Sequence, residues 1–397
     1  MSRLLVLLPD LPYPLDAGAK IRNHGLLKLL AADHDVDALA FGEPECGEES
    51  ELGKLARRYA IVAVPAPRSA VRRALDLART GLPDIVHRRL SRVFRDKLGC
   101  FVQDGDYGAV QAEGIEMAGY LWSVPARQRI YDAHNAEFLL QRRFAEAAPS
   151  AAGRLYSRLQ WRRLERFERA IIRTSRLTLA VSQHDANQLR ALASPQANVQ
   201  VVRNGIDATA YPFTPPRPNQ PPNVLFVGKL DFRPNAEALR WFVDDILTAV
   251  RAAVPRARLF AVGAAPPAWL VRVGQHDDRV AVTGYVDDER PYLARCAALI
   301  LPLRTAGGSR LKALIALASG VPIVSTRVGM EGLEAEADIH YLAAESSAEW
   351  VIALERLLGD VPLRQRLAHA GRMLVEQHYD WSAIRAEVRA AYQWLSA

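Results

Sequence analysis

The segment 211–223, which reads YPFTPPRPNQPPN, divides the chain in two. Six of its thirteen residues are proline. Proline lacks a backbone N–H and fixes φ, so this segment fits neither a helix interior nor a central strand and forms a stiff, extended linker. A chain of 397 residues is also too long for one ordinary core. We therefore expect two domains joined at this linker.

Short apolar runs and helical patterns alternate on both sides of the linker. The predicted strands before it are residues 4–8, 36–41, 60–64, 109–112, 128–131 and 177–182, with a helix over 21–32; those after it are 224–227, 258–262, 280–283, 298–301, 322–325 and 340–343, with a helix from about 235 to 254. Such alternation is typical of parallel sheets with helices on both faces. The fold class is therefore α/β, with two doubly wound domains facing across a cleft where ligands bind at the carboxyl ends of strands.

The domain boundaries follow from the same pattern. We expect an N-terminal domain over residues 1–207, a linker over 208–223, a C-terminal domain over 224–378 and a last helix over 379–397. Ile384, Val388, Tyr392 and Leu395 form one apolar stripe on that helix. It either closes the second domain or packs back toward the first, and we predict the second arrangement.

Charge and cysteine content restrict the function classes. The chain has 51 Lys and Arg against 44 Asp and Glu, a formal net charge of +7, which suits nucleotide phosphates or an acidic membrane surface. No basic and aromatic module typical of nucleic-acid binding is present, so we expect no nucleic acid partner. The cysteines, Cys46, Cys100 and Cys296, are far apart and predict neither a disulfide framework nor a zinc site.

The location of the protein is also an expectation from the sequence. No apolar stretch approaches the roughly 20 residues of a membrane span, so we expect a cytoplasmic protein. The basic helical stretch 154–176 carries aromatic residues at 156, 161 and 167. A solvated face is the favoured interpretation of that stretch. Peripheral contact with the inner face of a membrane, or with an acceptor lipid, is the alternative.

The segment from Gly307 to Lys312, GGSRLK, lies between a predicted strand and a predicted helix. Backbone N–H groups at a helix start attract anions. Ser309 could cap the helix, and Arg310 and Lys312 add two cations suited to a pyrophosphate. An ordinary glycine turn with two solvated basic residues explains the pattern equally well. From the residues alone both interpretations stay open.

Other glycine turns and one histidine follow predicted strands in the same way. Gly228 and Lys229 come directly after the strand 224–227, where glycine permits close backbone approach and lysine could reach a phosphate. Gly18 stands at the first strand-to-helix turn, and His134 follows the strand 128–131 in the segment YDAHNAE. A structural role and a functional one are about equally expected for His134 at such a position. Glu137 is a second polar candidate there.

Two acidic pairs could suggest a metal. Asp244 and Asp245 fall inside the helix predicted over 235–254, where their carboxylates splay apart. Asp287 and Asp288 open a helix, where the helix dipole favours acids. Both pairs are explained by structure alone, so we predict no bound metal and no cofactor.

Seven segments in order resemble the retaining GT-B glycosyltransferases of the large GT4 group, similar to capsule and exopolysaccharide sugar transferases. They are PYPLDAGAKIRNHGLLKLL at 12–30, YDAHNAE at 131–137, LAVSQHDANQLR at 179–190, VVRNGID at 201–207, LFVGKLDFRPNAEALRWF at 225–242, VTGYVDDERPYLARC at 282–296 and PLRTAGGSRLK at 302–312. The resemblance covers most of the chain. It implies two Rossmann-like domains, a nucleotide-diphosphate sugar as co-substrate (UDP- or GDP-sugar), and metal-independent transfer with retention.

The resemblance also implies roles for individual residues. The second domain holds most of the donor and the first most of the acceptor. The implied donor-binding residues are Gly18, Gly228, Lys229, Gly284, Tyr285, Gly307, Gly308, Ser309, Arg310, Lys312 and Glu331. The implied catalytic residues are His134, near the transferred sugar, with Lys229 and Lys312 at the phosphates. The acceptor-side candidates are Lys20, Arg22, Asn135 and Glu137.

This chain departs from the family pattern at three positions. The family's second phosphate-binding cation appears here as Asn235, with Arg310 and Lys312 as replacements for that charge. The family also carries two glutamates eight positions apart, which are Gly307 and Ile315 here. The second glutamate contacts the donor ribose in the family, so Ile315 implies weaker donor binding, with Glu331 as a substitute.

The resemblance implies a hexosyltransferase of polysaccharide or glycoconjugate biosynthesis. Its acceptor is a hydroxyl of a glycan, a lipid-linked molecule or a natural product. The alternative is a catalytically weak or inactive glycosyltransferase-like scaffold, because Ile315 replaces the ribose-binding glutamate. A sugar-nucleotide epimerase fits less well, since the paired carboxylates that such chemistry uses around the sugar are not evident.

Overall fold

The computed structural model describes residues 2–43, 51–146, 150–305 and 310–395. These residues form two compact units. The first unit contains the described residues up to 205 together with 384–395, and the second contains the described residues from 206 to 383. Each unit encloses its own apolar core around one sheet.

The first unit is built on a seven-stranded parallel sheet in the order β3-β2-β1-β4-β5-β6-β7. Its strands are β1 Arg3–Leu8, β2 Asp35–Phe41, β3 Arg58–Val62, β4 Ala109–Glu113, β5 Arg129–Ala133, β6 Leu177–Ala180 and β7 Val199–Val201. Its helices are α1 Gly18–Asp33, α2 Glu51–Leu55, α3 Ala70–Arg79, α4 Asp84–His87, α5 Arg92–Asp104, α6 Ile115–Ala118, α7 Glu137–Glu146, α8 Ala151–Thr174 and α9 Gln183–Ala193.

The second unit repeats this plan with six parallel strands in the order β10-β9-β8-β11-β12-β13. The strands are β8 Asn223–Val227, β9 Arg258–Val262, β10 Val280–Val282, β11 Ala298–Leu301, β12 Ile323–Ser325 and β13 Leu342–Ala343. The helices are α10 Arg233–Trp241, α11 Leu247–Ala253, α12 Ala268–His276, α13 Arg290–Arg295, α14 Leu311–Ser319, α15 Arg327–Met330, α16 Ser347–Gly359 and α17 Val361–His378.

The strand orders define where each sheet can bind a ligand. The central strands β1 and β8 are continuous apolar runs, as expected of parallel strands covered on both faces. Strand order reverses between β1 and β4 in the first unit and between β8 and β11 in the second. In open α/β sheets, ligands bind beyond the carboxyl ends of the strands at this reversal. The residues that follow β1, β4, β8 and β11 are therefore placed for function.

The last helix, α18 Trp381–Tyr392, lies mainly in the first unit. Its apolar stripe is buried, with Ile384 and Tyr392 at most 1% exposed. Arg389 Nη2 lies 2.9 Å from Asp33 Oδ1 at the end of α1. Apolar burial and this ion pair attach α18 to the first unit.

The α/β fold class with two doubly wound sheets is confirmed, and the predicted strands all appear with ends shifted by a few residues. Strand β7, which forms one edge of the first sheet, was not predicted, because three residues are too few for a clear alternation. The helix expected over about 235–254 is interrupted by a π-helical turn at Phe242–Ile246, which contains Asp244 and Asp245. Among the described residues, no helix is long and apolar enough to cross a membrane.

Candidate active site

Strand β8 ends in a glycine turn that lies against a lysine. Gly228 has φ of +143°, and a Cβ added there would lie 3.0 Å from Lys312 Nζ. At the end of β9, Gly263 has φ of +144°, and an added Cβ would lie 1.9 Å from Gly228 O. Residues with side chains rarely adopt such φ values. The two glycines therefore keep the ends of β8 and β9 close together, with little side-chain volume between them and Lys312.

Lys312 is half-buried and has neutral contacts. Its Nζ donates a hydrogen bond to Asn235 Oδ1 at 2.9 Å and lies 4.7 Å from the centre of the Phe226 ring. Asn235 Nδ2 donates to Lys229 O at 2.8 Å, which fixes the orientation of the amide. Burial, and then the charge of Arg310, lower the pKa of Lys312 to about 7. In the part of the chain that the structure describes, no carboxylate pairs with this amine. A bound anion would therefore stabilise its protonated form.

Arg310 occupies the cap position of α14, and its side chain is only 6% exposed. Its Nη2 donates to Val328 O at 2.9 Å and lies 3.6 Å from Glu331 Oε2. The guanidinium thus joins the start of α14 to α15. Helix α14 begins at Leu311, directly after Arg310. Gly307, Gly308 and Ser309 lie outside the described residues.

The remaining residues of the second unit that were predicted to bind the nucleotide sugar lie at strand ends or at the surface. The Lys229 side chain is 66% exposed, and its Nζ lies 3.6 Å from Asp231 Oδ1. Gly284 follows β10 with φ of +72°, and its carbonyl accepts a hydrogen bond from Gly263 N at 3.1 Å. Tyr285 beside it is 62% exposed. Gly284 therefore adjoins the glycine turn of β8 and β9, while Tyr285 projects toward solvent.

Ile315 is half-buried in the middle of α14, three residues after Lys312. Residues three apart lie on one face of a helix. α14 therefore presents an alkyl group on the same face as the Lys312 amine, where the family resemblance implies a carboxylate.

A cavity of about 340 Å³ lies in the first unit, beyond the carboxyl ends of β1, β4 and β5. Its lining includes Gly18, Arg22, Glu116, His134 and Glu137. These residues come from α1, α6, α7 and the loop after β5. The cavity is therefore at the strand-order reversal, where sheets of this kind bind ligands.

His134 lies beside two carboxylates at the edge of this cavity. Its Nε2 is 3.0 Å from Glu113 Oε2 and 3.7 Å from Asp132 Oδ2. Burial lowers the pKa of His134, but the two carboxylates outweigh it and the net shift is upward. Gly114, with φ of +77°, lies against the other face, since an added Cβ would be 3.5 Å from His134 Nδ1. Burial, and then the charge of Asp132, raise the pKa of Glu113.

Arg22 and Asp132 form a buried bidentate ion pair beside His134. Arg22 Nε and Nη2 donate to the two Asp132 oxygens at 2.8 and 2.6 Å. Arg22 Nη1 donates to Val202 O at 2.9 Å and to Asn204 Oδ1 at 3.2 Å. The whole guanidinium is thus occupied by protein groups. Arg22, proposed from the sequence as an acceptor-side residue, lines the cavity but is committed to this structural network.

The other acceptor-side candidates differ in placement. Lys20 Nζ pairs with Asp16 Oδ1 at 2.9 Å, and Lys20 does not line the cavity. Asn135 and Glu137 do line it, and Asn135 Nδ2 donates to Glu137 Oε1 at 2.7 Å. Burial raises the pKa of Glu137. The structure thus brings together His134, Asn135 and Glu137, and leaves Lys20 outside.

Several site residues were missed by the sequence analysis. Glu113 ends β4 and Glu116 lies three residues later, much as His134 follows β5, so the same strand-end argument could have found them. Asp132 could have been found near the end of β5, two residues before His134. Glu168, whose Oε2 accepts from Phe138 N at 2.9 Å and holds the start of α7, had no local signal.

The side chains of Glu113, Asp132 and His134 also lie close enough to share a cation, with ligand atoms within 4.8 Å of one another. Arg22 already binds both oxygens of Asp132, however. Asn23, with its amide nitrogen turned inward, would donate to Glu113 Oε2 at 3.0 Å, and the same nitrogen lies 3.2 Å from His134 Nε2. These partners favour a hydrogen-bonded network at this place.

Comparison with known proteins shows what this chain is similar to. Residues 221–360 match the family model described as glycosyl transferases group 1. Glycogen synthase from Mycobacterium tuberculosis (strain CDC 1551 / Oshkosh) is 28% identical over 247 residues, which cover 58% of this chain. The match spans only 57% of that relative's length.

Two solved structures share the fold over the whole chain. Sucrose-phosphate synthase from Thermosynechococcus elongatus has a TM-score of 0.72 at 20% identity, covering 100% of this chain and 99% of that one. Anabaena HepE in complex with UDP-glucose has a TM-score of 0.62 at 13% identity, covering 98% and 99%. The GT-B fold and the resemblance to GT4-type glycosyltransferases are confirmed.

Proposed function

We propose that the protein transfers a sugar from a nucleoside-diphosphate sugar to a hydroxyl acceptor with retention at the anomeric carbon, because residues 221–360 match the family model described as glycosyl transferases group 1. The observation that carries the proposal is the placement of Lys312. Its amine lies between the glycine turn of β8 and the first turn of α14, with only neutral hydrogen-bond partners among the described residues. A diphosphate supplies the negative charge that this position lacks.

The leaving diphosphate is the group that this site stabilises. Backbone N–H groups at the start of α14 and the helix dipole favour negative charge there. The Lys312 ammonium adds a full charge in a half-buried setting, where electrostatic stabilisation is stronger than in water. Arg310 is held by Val328 O, so it acts through its nearby charge. Lys229 is exposed and reaches the phosphates only by changing its side-chain conformation.

In the same proposal, His134 positions the transferred sugar. It lies at the edge of the first unit's cavity, and the carboxylates behind it favour its protonated form. The acceptor hydroxyl attacks the face from which the diphosphate leaves, so no side-chain nucleophile is assigned. The proposed acceptor is a glycan, a lipid-linked molecule or a natural product. Glu116 and Glu137 line the cavity and could accept hydrogen bonds from its hydroxyl groups.

We also propose that the transfer needs no metal or other cofactor. Charge neutralisation by Lys312 and the helix start takes the role that a cation has elsewhere. Turnover should therefore be the same with EDTA and with added Mg²⁺ or Mn²⁺. A fall of tenfold or more with EDTA, restored by metal, would contradict this part of the proposal.

Calorimetry with UDP, GDP and ADP tests the donor site directly. UDP is the first candidate because HepE, similar in fold, was solved with UDP-glucose. We expect one nucleotide to bind, and the corresponding nucleotide sugars to be slowly hydrolysed without an acceptor. Lys312→Met is the matched control and should lose most of the binding.

The competing function is a glycosyltransferase-like scaffold without activity, and Ile315 is the observation that favours it. That alternative predicts no binding of any of the three nucleotides and no release of sugar. Binding without sugar release from any donor would favour a nucleotide-sensing scaffold over an enzyme.

A membrane contact is a further part of the proposed function. Helix α3 has no buried residue, and Val71 on it is 70% exposed. Leu155 on α8 is 72% exposed. The two helices are neighbours, since Arg73 Nη2 donates to Tyr156 OH at 2.9 Å. The exposed arginines of the two helices include Arg72, Arg79, Arg158 and Arg162. Apolar residues among cations suit the surface of an anionic bilayer at the inner face of a membrane.

Vesicle flotation tests this contact. The protein should float with vesicles containing phosphatidylglycerol and stay behind with neutral phosphatidylcholine vesicles. Val71→Glu with Leu155→Glu should abolish flotation. Ile352→Glu, which changes an equally exposed residue (64%) of the second unit, should not. Equal flotation of all variants would contradict the proposed surface.

A further inference from the structure

A chain of buried hydrogen bonds connects the last helix, α18, to the cavity of the first unit. The Tyr392 hydroxyl donates to Gln111 Oε1. Gln111 Nε2 donates to Glu113 Oε1 at 2.5 Å. The second oxygen of Glu113, Oε2, lies 3.0 Å from His134 Nε2. Tyr392, Gln111 and Glu113 are all at most 1% exposed, so solvent cannot replace these partners.

The sheet holds the middle of this chain rigidly. Gln111 and Glu113 are two residues apart on β4, so their side chains leave the same face of the sheet. β4 is paired on one side with β1 and on the other with β5, where Glu113 is opposite Asp132. His134 is the first residue after β5, two residues beyond Asp132. The backbone therefore fixes the spacing of the polar groups, and their orientation depends on the hydrogen bonds.

When the Asn23 amide nitrogen donates to Glu113 Oε2 at 3.0 Å, and not to His134 Nε2 at 3.2 Å, each group in the hydrogen-bond chain has one consistent orientation. An ionised Glu113 only accepts hydrogen bonds, so Gln111 must turn its NH₂ toward it and its oxygen toward Tyr392. The Tyr392 hydroxyl then donates. At the other end, Glu113 Oε2 accepts from His134, which requires the hydrogen on Nε2. The orientation of the Gln111 amide is thus tied to the hydrogen position on the His134 ring.

We propose that Tyr392 is a positioning residue for His134: through Gln111 and Glu113 it fixes the ring orientation and keeps the hydrogen on Nε2. The last helix of the chain is then part of the site, although Tyr392 does not touch a ligand. Its catalytic consequence rests on the proposed function. The hydrogen-bond chain itself does not depend on it, so the two can be tested separately.

Other charged groups also act on His134, so the effect of Tyr392 must be measured against them. They come from every element around the ring: Glu113, Asp132, Arg22, Glu116 and Glu137. Substitution at Tyr392 leaves Asp132, Arg22, Glu116 and Glu137 unchanged and acts on Glu113 through Gln111. A change in the pKa of His134 on removing the Tyr392 hydroxyl is therefore transmitted through the hydrogen-bond chain.

NMR titration of the His134 ring in ¹⁵N-histidine-labelled full-length protein tests the proposal, with the signal assigned from a His134→Asn spectrum. Tyr392→Phe removes the donor that orients Gln111, so Glu113 loses part of its stabilisation as an anion. The proton of the pair then moves toward Glu113, and the pKa of His134 falls by about half to one unit. The Nε2–H tautomer should lose population in the neutral ring.

Tyr120→Phe is the matched control. Tyr120 is also buried in the first unit, at 2% exposed, and its hydroxyl donates to Arg89 O at 2.6 Å. The Tyr120 hydroxyl is not part of the hydrogen-bond chain from Tyr392 to His134, so the pKa of His134 in Tyr120→Phe should equal that of the wild type. Identical titration curves for Tyr392→Phe and the wild type would overturn the proposal.

Gln111→Met provides a second route if Tyr392→Phe does not fold. It removes the donor to Glu113 directly and should lower the pKa of His134 at least as much. If transferase activity is found, Tyr392→Phe should lower kcat about threefold to tenfold and leave KM for the nucleotide sugar unchanged. Unchanged kcat alongside a shifted titration would show that the chain orients His134 but that His134 has no role in turnover.

Discussion

The first unit has a polar cluster around His134, and the second has one around Lys312. The two clusters differ in whether their charged side chains are paired. In the first, Arg22 and Asp132 are buried and bind one another with two hydrogen bonds. Glu113 and His134 form a second pair beside them. In the second, Lys312 is held by the neutral amide of Asn235 and lies near the Phe226 ring. The first cluster carries its own counter-charges, whereas no carboxylate among the described residues pairs with the Lys312 amine of the second.

This difference in pairing is what we expect between a network that positions residues, in the first unit, and a site that binds an anion, in the second. Charges that are already paired inside a protein hold neighbouring groups in place, and breaking one pair leaves the other charge stranded. An unpaired half-buried amine gains when a counter-charge arrives, which the lowered pKa of Lys312 expresses. The first cluster should therefore control stability and geometry, and the second should control affinity.

Arg22→Met should have the largest effect, which is a loss of stability. It strands the Asp132 carboxylate in the core, which costs about 3–5 kcal/mol of the free energy of unfolding. Urea denaturation measures this loss. The control is Arg58→Met, which breaks the exposed pair with Asp104 (3.0 Å) and should cost less than about 1 kcal/mol. Equal losses would show that the buried pair is not stabilising.

Lys312→Met should act on turnover and binding, with little change in stability. We expect turnover to fall about 100- to 1,000-fold, as on removing one group that stabilises transition-state charge. Lys312→Arg should keep part of the activity. Lys229→Met, which removes an amine that is exposed, should lose less than about tenfold. Near-normal turnover of Lys312→Met would refute the proposed diphosphate site.

The pH dependence of UDP binding is a finer test of the same amine. The pKa of Lys312 is about 7 without ligand, and a bound diphosphate raises it. Binding therefore takes up a proton above pH 7, and affinity falls by up to about tenfold per pH unit between pH 7 and 9. In Lys312→Arg the cation does not titrate in this range, so calorimetry should give a nearly flat profile. A flat wild-type profile would mean that Lys312 is already protonated.

Much of this comparison could be predicted from the sequence, because ligands bind beyond the carboxyl ends of the strands in a parallel sheet. Lys312, Gly228 and His134 were all identified as residues next to a strand or helix end, and the structure places each of them there. The two-domain α/β fold followed from apolar runs alternating with helical patterns. Such signals lie within a few residues of one another, and a single sequence displays them.

The partners of these residues could not be predicted, because they depend on long-range packing. Asp132 meets Arg22 from 110 positions away, and Tyr392 meets Gln111 from 281 positions away. The family resemblance implied an acceptor-side role for Arg22. Its burial against a carboxylate is a property of the assembled sheet and helix.

Ile315→Glu should have the smallest effect, which is a change in UDP affinity. The direction of that change shows whether the site around Lys312 lacks a ribose-binding carboxylate. A carboxylate on the Lys312 face of α14 could accept the ribose hydroxyls, so UDP should bind about fivefold more tightly. The new charge could also act through Lys312, so 2′-deoxy-UDP and Ile315→Gln are the controls. If the gain comes from the ribose, it disappears with the deoxynucleotide and persists in part with Gln. A gain equal for both nucleotides would assign it to the phosphates, and weaker binding would place Ile315 against the base or the sugar.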